Sequence, residues 1–412
     1  MFKTITIDEL EIGMYVKDVV WNNSQYKVKT RGLVKSAETI KQLRQQGVAS
    51  LVVAYEKDVT KAQQKNQTVP PTAQTQAAND EPPATDTQSR KKNKAEEKSL
   101  SQKVEDEFAR SSEIYDEATE HVKEMFFNAA AGQNLSPEAI SILAGEITES
   151  VSRNEYAMTI LTRIRHHSTY QWEHSINSGV LMCGFCLFLG IKKEVVEQIT
   201  LGAMLHDVGT AKVPKGIIEK QDKLTKNEMS VVQKHVSWGY DMCKRDGFDA
   251  PVIVDMVVNH HERLNGSGYP RGISGDKISK LSRMVAIVDV YDAMTGDKSY
   301  KKGIQPIEAL RYLIGAKDLF DQDLVQKFIK YIGVNPVGSL VKLTSEMLGI
   351  VIEGNREEPL KPLVKVFYSL KLNTRISPKT IDLTTEPVEI VSSVRGEDYN
   401  INVAKIIKDI ME

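Results

Sequence analysis

Residues 194–209 read EVVEQITLGAMLHDVG. The run EVVEQITLGAML forms an amphipathic helix that closes on His206 and Asp207, with Gly209 just beyond. Adjacent histidine and aspartate at a helix end can both bend toward one centre. The imidazole then offers nitrogen and the carboxylate offers oxygen. A carboxylate can also bridge two cations.

The chain has eight histidines, and seven fall within 166–261, so the pair is read with its neighbours. His235 sits mid-helix in NEMSVVQKHVSWGYDM (227–242), on the side of Val231 and Val232. His260 and His261 end the helix PVIVDMVVNHH (251–261), just before the glycine-rich loop NGSGYP (265–270). Asp289 lies inside MVAIVDVYDAM (284–294), between Val288 and Val290. A carboxylate in such surroundings needs a partner or a metal, because an isolated charge is costly to bury. Each feature alone is weak: a single helix histidine is usually packed or on the surface, and an apolar-flanked aspartate is often half of an ion pair. Together they bring imidazoles and carboxylates from separate helices. That set suits two first-row cations such as Fe or Mn better than a tetrahedral structural Zn. Two metals ~3.5–4 Å apart are a standard device for phosphoester hydrolysis.

Outward from this region, 137–333 is a succession of amphipathic helices in which strand patterns are nearly absent. Upstream, Val104, Phe108, Ser111, Tyr115, Ala118, Val122 and Met125 follow a 3-4 spacing. They predict a helix over 101–127 whose seam either packs on the following domain or forms a homodimer. Downstream, SLVKLTSEMLGIVIEGN (339–355) and PLVKVFYSLKL (362–372) alternate and break at Gly-Asn, the pattern of a short antiparallel hairpin. NVAKIIKDIM (402–411) reads as a terminal helix. At the other end, TITI (4–7), MYVKDVV (14–20) and VASLVVAY (48–55) read as strands. Between them Ser36 caps a helix carrying Ile40 and Leu43, and Gly47 ends it. Residues 56–98, with Pro70, Pro71, Pro82 and Pro83, are too polar to order themselves and end in the basic run RKKNK (90–94). The expected plan is mainly α. A small α/β domain occupies 1–55, carries no chemical motif and is expected to be regulatory or protein-binding. A flexible linker covers 56–98, a helical metal-binding domain 99–334, and a small β-rich appendage with a terminal helix 335–412.

Apolar residues make up 41%, ordinary for a chain with a real core. A net charge of -1 excludes a global basic field for DNA, RNA or a membrane surface. Three cysteines are too few for a disulfide framework, and MFKTITIDELEIG has no apolar signal region, so a cytoplasmic protein is expected. The most apolar run, GVLMCGFCLFLGI (179–191), is short of the ~20 residues a membrane span needs and reads as a core helix. Cys183 and Cys186 within it have redox-like spacing but read as packing.

HDVG (206–209), His235, HHERLNGSGYP (260–270) and SRMVAIVDVYDAMTGDKSYKK (282–302) resemble, in order and spacing, the HD-GYP branch of the HD phosphohydrolases. The resemblance covers about 165–335. Residues 1–55 also resemble a small uncharacterised domain that often precedes HD-GYP domains in bacteria. The family hydrolyses cyclic dinucleotides, chiefly cyclic di-GMP and in some members 3′,3′-cGAMP, which implies that substrate class and second-messenger signalling here.

Carried over residue by residue, the resemblance implies seven metal ligands: His174 in EHSINSG (173–179), His206, a bridging Asp207, His235, His260, His261 and Asp289. Some members add a glutamate four residues before the first histidine to hold a third metal. Tyr170 stands there, which implies two. Lys298 and Lys301 match phosphate-binding basic positions, and Arg283 matches a usual arginine that either contacts substrate or holds the helix. Gly268, Tyr269 and Pro270 belong to the intact GYP loop, which faces substrate or a protein partner. Three positions depart from the family pattern. Thr210 replaces the lysine of HDxGK, Asn265 replaces an aspartate, and Lys298 replaces a more usual arginine and so loses the bidentate fork. None removes a metal ligand. The reading is therefore a metal-dependent cyclic dinucleotide phosphodiesterase, with a catalytically weak sensor that keeps the metal as the alternative. An HD phosphohydrolase acting on another nucleotide is a third reading.

Overall fold

The computed structural model of the chain describes residues 3–11, 14–21, 32–34, 40–41, 44, 48–55, 104–164, 170–297 and 302–411. They fall into two compact units, Met1–Thr85 and Asp86–Glu412.

The first unit is built on one antiparallel sheet. Its strands are β1 (Lys3–Thr6), β2 (Met14–Trp21), β3 (Gly32–Leu33) and β4 (Val48–Tyr55), in the order β1-β4-β2-β3. Ile5 pairs with Leu51, and a register shift between Val16 and Asp18 bends β2. The three strands read from the sequence are present. β3 is too short to show an alternating pattern. Ile40, Lys41 and Arg44 are helical, and Arg44 reaches Asp8 at 2.8 Å. Ser36, Leu43, Gly47 and the linker expected over 56–98 lie outside the described residues.

The second unit begins with α1 (Val104–Ala130), whose first turn carries Glu105, Asp106 and Glu107 at the positive end of the helix dipole. All seven seam residues, Val104, Phe108, Ser111, Tyr115, Ala118, Val122 and Met125, are buried inside the chain. The seam is thus taken up by packing within the chain, one of the two readings its spacing left open. Glu107, 1% exposed, takes Arg153 through two bonds of 2.7 and 2.9 Å, tying α1 to the end of α2 (Pro137–Arg153). Asn154 then caps α3 (Glu155–Leu161) by accepting from Tyr156 N and Ala157 N.

α4 (Tyr170–Phe188) is the central helix. Ile176, Val180, Leu181, Met182, Cys183, Phe185 and Cys186 are all buried, around the whole circumference. A helix that is apolar all round belongs inside a core. Burial pushes the Cys183 thiol up to about 11, so it packs as a small apolar group. Among the described residues no helix is long and apolar enough to cross a membrane.

Around α4 lie α5 (Lys193–Leu205), a 3-10 turn (Val208–Lys212), α6 (Lys215–Ile218), α7 (Lys226–Gln233), α8 (His235–Arg245), α9 (Pro251–Asn259), α10 (Lys280–Thr295), α11 (Pro306–Gly315) and α12 (Gln322–Ile332). A capping box between Thr225 and Glu228 starts α7. The sequence put His235 mid-helix. The chain instead breaks at Lys234, and His235 opens α8.

The C-terminal part is a sheet of five antiparallel strands, not a single hairpin. β5 (Leu340–Leu343), β6 (Met347–Glu353), β7 (Leu363–Ser369), β8 (Thr374–Asp382) and β9 (Ile390–Ser393) run in the order β8-β7-β6-β5-β9. The helix that follows, α13 (Val403–Met411), turns Ile406, Ile407, Ile410 and Met411 inward and packs on α1. Lys365 on β7 pairs with Glu105 on α1 at 3.3 Å. One continuous apolar cluster runs from α1 through the sheet to α13, so this part shares the core of the helices.

Candidate metal centre

The helix ends and Asp289 converge as the sequence requires. His206 is the C-terminal cap of α5 and keeps helical dihedrals, whereas Asp207 has left them (φ -106°, ψ 8°). The two side chains therefore diverge from consecutive positions and turn into one buried space. Gly209 brings the 3-10 turn against α8: a Cβ there would lie 2.0 Å from His235 O and 2.5 Å from Gly239 N. Only a residue without a side chain permits that approach. It places Asp207 Oδ1 3.2 Å from His235 Nε2 and 3.6 Å from His260 Nε2. Asp207 Oδ2 faces His206 Nε2 at 3.9 Å. On the other side, Asp289 Oδ1 lies 3.2 Å from His174 Nε2 and 4.0 Å from His206 Nε2, and its Oδ2 is 3.8 Å from His261 Nδ1. All seven residues expected as ligands are thus brought together. Six of them form two groups, Asp207, His235, His260 and His261, and His174, His206 and Asp207, with Asp207 common to both. Asp289 belongs to neither group but lies against His174, His206 and His261.

The outward nitrogens explain why the inward ones are available. Nδ1 of His206 lies 2.7 Å from Ala203 O, Nδ1 of His235 lies 2.7 Å from Val232 O, and Nδ1 of His260 lies 3.0 Å from Val257 O. Each Nδ1–H donates to that carbonyl, which fixes the tautomer and leaves Nε2 with a lone pair pointing at the centre. His174 uses a carboxylate instead, with Nδ1 2.7 Å from Asp292 Oδ2. Asp292, 1% exposed, was not singled out from the sequence. Its only signal there is its place one turn after Asp289 on the same helix.

Electrostatics follow from this packing. Burial works to raise the Asp207 carboxyl, but His206, then His260 and His235, hold it well below the carboxylate range. Asp289 is held low in the same way, with His174 and His261 overcoming burial. Burial pushes His206 down to about 4 and lowers His235 and His261. It also works against a charged His174, but the bonds to Asp289 and Asp292 raise that imidazole to about 10. Two buried atoms, His206 Nε2 and Asp207 Oδ1, have no hydrogen-bond partner among the described residues. Buried polar atoms are rarely left so. A divalent cation at this point satisfies both, and the mixed nitrogen and oxygen donors fit one.

A cleft of about 690 Å³ opens on His261 and Asp289. Val290, Met294 and Ile304 form apolar wall, and Arg263 and Lys302 bring positive charge. Half-exposed Tyr312 stands at its edge. None of these six was singled out as a substrate contact in the sequence; the signal for Lys302 was its place beside Lys301. Lys298 and Lys301 themselves lie outside the described residues. The Tyr269 ring lies tilted by 34° against His261 with ring centroids 4.6 Å apart, and the Tyr269 backbone N–H donates to His261 O at 3.2 Å. Gly268 lies directly on the chain at 261–263, where a Cβ would come 2.4 Å from His261 O. Pro270 and Arg271 face a different groove, with Val236, Tyr240 and Val254. Arg283 is engaged by the fold: it donates to Ile278 O at 2.9 Å and reaches Asp321 at 3.1 Å and Asp276 at 3.3 Å. Thr210 donates its hydroxyl to Asp207 O at 2.7 Å, and Lys215 is paired with Glu219 and exposed to solvent.

Comparison with known families agrees with this geometry. The family described as HD domain matches residues 162–324, and a domain of unknown function, DUF3391, matches residues 2–140. The second match runs beyond the small sheet through α1. A cyclic di-GMP phosphodiesterase of Pseudomonas aeruginosa is 36% identical over 280 residues, covering 68% of this chain and 68% of that protein. The cyclic di-GMP phosphodiesterase response regulator RpfG of Xanthomonas campestris is 36% identical over 145 residues, covering 34% of this chain and 38% of that protein. The 3′3′-cGAMP-specific phosphodiesterase 1 of Vibrio cholerae is 31% identical over 157 residues, covering 38% and 36%. With its helices, its His–Asp cluster and two thirds of its length matched at this level, the chain belongs to the HD-domain family of cyclic dinucleotide phosphodiesterases.

Proposed function

We propose that this chain hydrolyses a cyclic dinucleotide, cyclic di-GMP or 3′,3′-cGAMP, to the linear dinucleotide. Two divalent transition metals, Fe or Mn, are held by His174, His206, Asp207, His235, His260, His261 and Asp289. The observation that carries this reading is the convergence of five imidazoles on two carboxylates, with His206 Nε2 and Asp207 Oδ1 buried and unpartnered. The substrates named for the relatives support the cyclic dinucleotide class. When bound, such cations lower the pKa of water and polarise phosphoryl oxygens. The chain's own residues supply the rest. Asp207 and Asp289 stay ionised at neutral pH. Arg263 and Lys302 line the cleft with the charge that a phosphodiester needs. Burial, with Asp207 and Asp289 nearby, pushes the Tyr269 phenol well up, so it remains a neutral donor and a flat surface for a base. Lys298 and Lys301, which match phosphate-binding positions of the family pattern, are assigned from the sequence to the same task as Arg263 and Lys302.

The test is a metal-reconstituted chain given both cyclic dinucleotides side by side, with products resolved. Linear dinucleotide from one or both, lost together with metal loading in Asp207→Ala, is the expected result. Full turnover in Asp207→Ala would sink the assignment.

Thr210 favours a second reading. Its hydroxyl closes the 3-10 turn where the family pattern has a lysine, so no cation stands at that position. A loss of one preorganised donor costs roughly 10²–10³ in rate. A chain that binds the ligand without releasing product in a single-turnover experiment is a sensor that keeps the metal.

A further inference from the structure

The cleft over His261 and Asp289 does not end the cavities on this side of the fold. Lys302 and Ile304, which line it, also line a second cavity of about 890 Å³. Among the described residues that cavity is bounded by Thr295, Asp297 and residues 302–305 on one side and by residues 394–404, which lead from β9 into α13, on the other. It is of a size that holds a small-molecule ligand.

Three cations reach it from separate parts of the chain: Arg163 after α3, Lys302, and Arg395 after β9. Two acids share the lining, and both are turned onto partners. Asp297 accepts from Gly303 N at 2.8 Å, and Glu397 is ion-paired with Lys302. Arg395 is held in place by donating to Gly303 O at 3.1 Å. Arg163 lays its stem over Gly338, where a Cβ would come 2.7 Å from its Cγ. Asn400 adds an amide edge that both donates and accepts, and Asn402, whose Oδ1 accepts from Lys405 N at 3.0 Å, adds an amide donor. Guanidinium and ammonium groups bind phosphate through charge-assisted bonds, and amides match the edges of a heterocyclic base.

We propose that this cavity is a second binding site, for a nucleoside phosphate, whose occupant competes with Glu397 for Lys302. Lys302 also faces the cleft over Asp289, so occupancy of one cavity changes the cation presented to the other. The proposal stands apart from metal loading, because none of its residues belongs to the His–Asp cluster.

The experiment is a calorimetric titration of GMP into the full chain, stripped of metal with chelator. Saturable binding at one site is expected. Arg163→Gln and Arg395→Gln should each weaken it by about tenfold or more, since each removes a charged donor. Glu397→Gln should tighten it severalfold, a gain that misfolding cannot produce. Asp207→Ala should leave it unchanged, which separates this site from the metal reading. No saturable binding, undiminished affinity in the two arginine variants, or an unaltered affinity in Glu397→Gln overturns the proposal.

Discussion

The carboxylate of Asp292 lies 2.7 Å from Nδ1 of His174, and both groups are buried. Asp292 orients His174 with a carboxylate, where His206, His235 and His260 use main-chain carbonyls. Asp292→Ala frees the ring and removes a charge that makes it a better donor. Metal affinity should fall about 10–100-fold, with the fold retained. A chelator-competition titration reads this directly. Equal affinities in the two proteins would limit the contact to packing.

The metal-free chain should have a stability optimum near neutrality. His174 has an ordinary value of 6.5 and is raised to about 10 by Asp289 and Asp292, against burial. Its contribution is fully present below about pH 6.5 and is lost as pH rises through about 10. His206 is depressed to about 4 by burial, so its contribution is present above pH 6.5 and is lost as pH falls toward 4. Metal loading requires neutral imidazoles and displaces the His174 proton. Thermal melts from pH 5 to 10 should therefore fall on both sides in chelator, and the alkaline fall should flatten with metal. A flat alkaline limb in chelator would contradict the charged His174.

Arg283 stands at a position where substrate contact and helix support were both open from the sequence, and its partners decide for support. It joins α10 to Asp321, which caps α12 by accepting from Asp323 N and Leu324 N. Arg283→Ala should cost about 1.5–3 kcal/mol of stability, the range for a bond to a charged group. KM should stay as in the parent. A raised KM with unchanged Tm would return Arg283 to the substrate.

Gly268→Ala should damage the site from a distance. The new methyl meets His261 O, Arg263 N and Glu262 Cα, all main chain. Relief requires the GYP loop to lift from His261, taking the Tyr269 ring with it. A loss of about 1–3 kcal/mol is expected, with activity falling further than stability alone explains. Chemical denaturation and turnover measured on one preparation separate the two.

The helices around the site were legible because their apolar residues recur at helical spacing, and the ligands because His206, His260 and His261 sit at helix ends. What escaped depends on contacts between distant parts of the chain. Asp292 is meaningful only once α4 packs beside α10. The break at Lys234 interrupts a run whose apolar spacing reads through it. β8 is mostly exposed and β9 is only four residues long, so neither shows an alternating buried face. The pairing of Lys302 with Glu397 joins segments with no local pattern in common. The α1 seam was legible as a seam, but spacing alone does not say whether a helix face meets its own chain or another.

The approach of Gly209 to α8 acts as a mechanical stop. Main chain rests on main chain, so no rotamer change can lengthen or shorten it. The main-chain spacing between the turn that carries Asp207 and the start of α8 is therefore fixed, like the anvil of a vice. A cation of different radius must be met from the opposite jaw, where Asp289 and His261 approach at 3.8 Å through side chains alone. Selection among ions by size then belongs to α10 and the His261 ring, and substitutions that change which metal is held should be sought there.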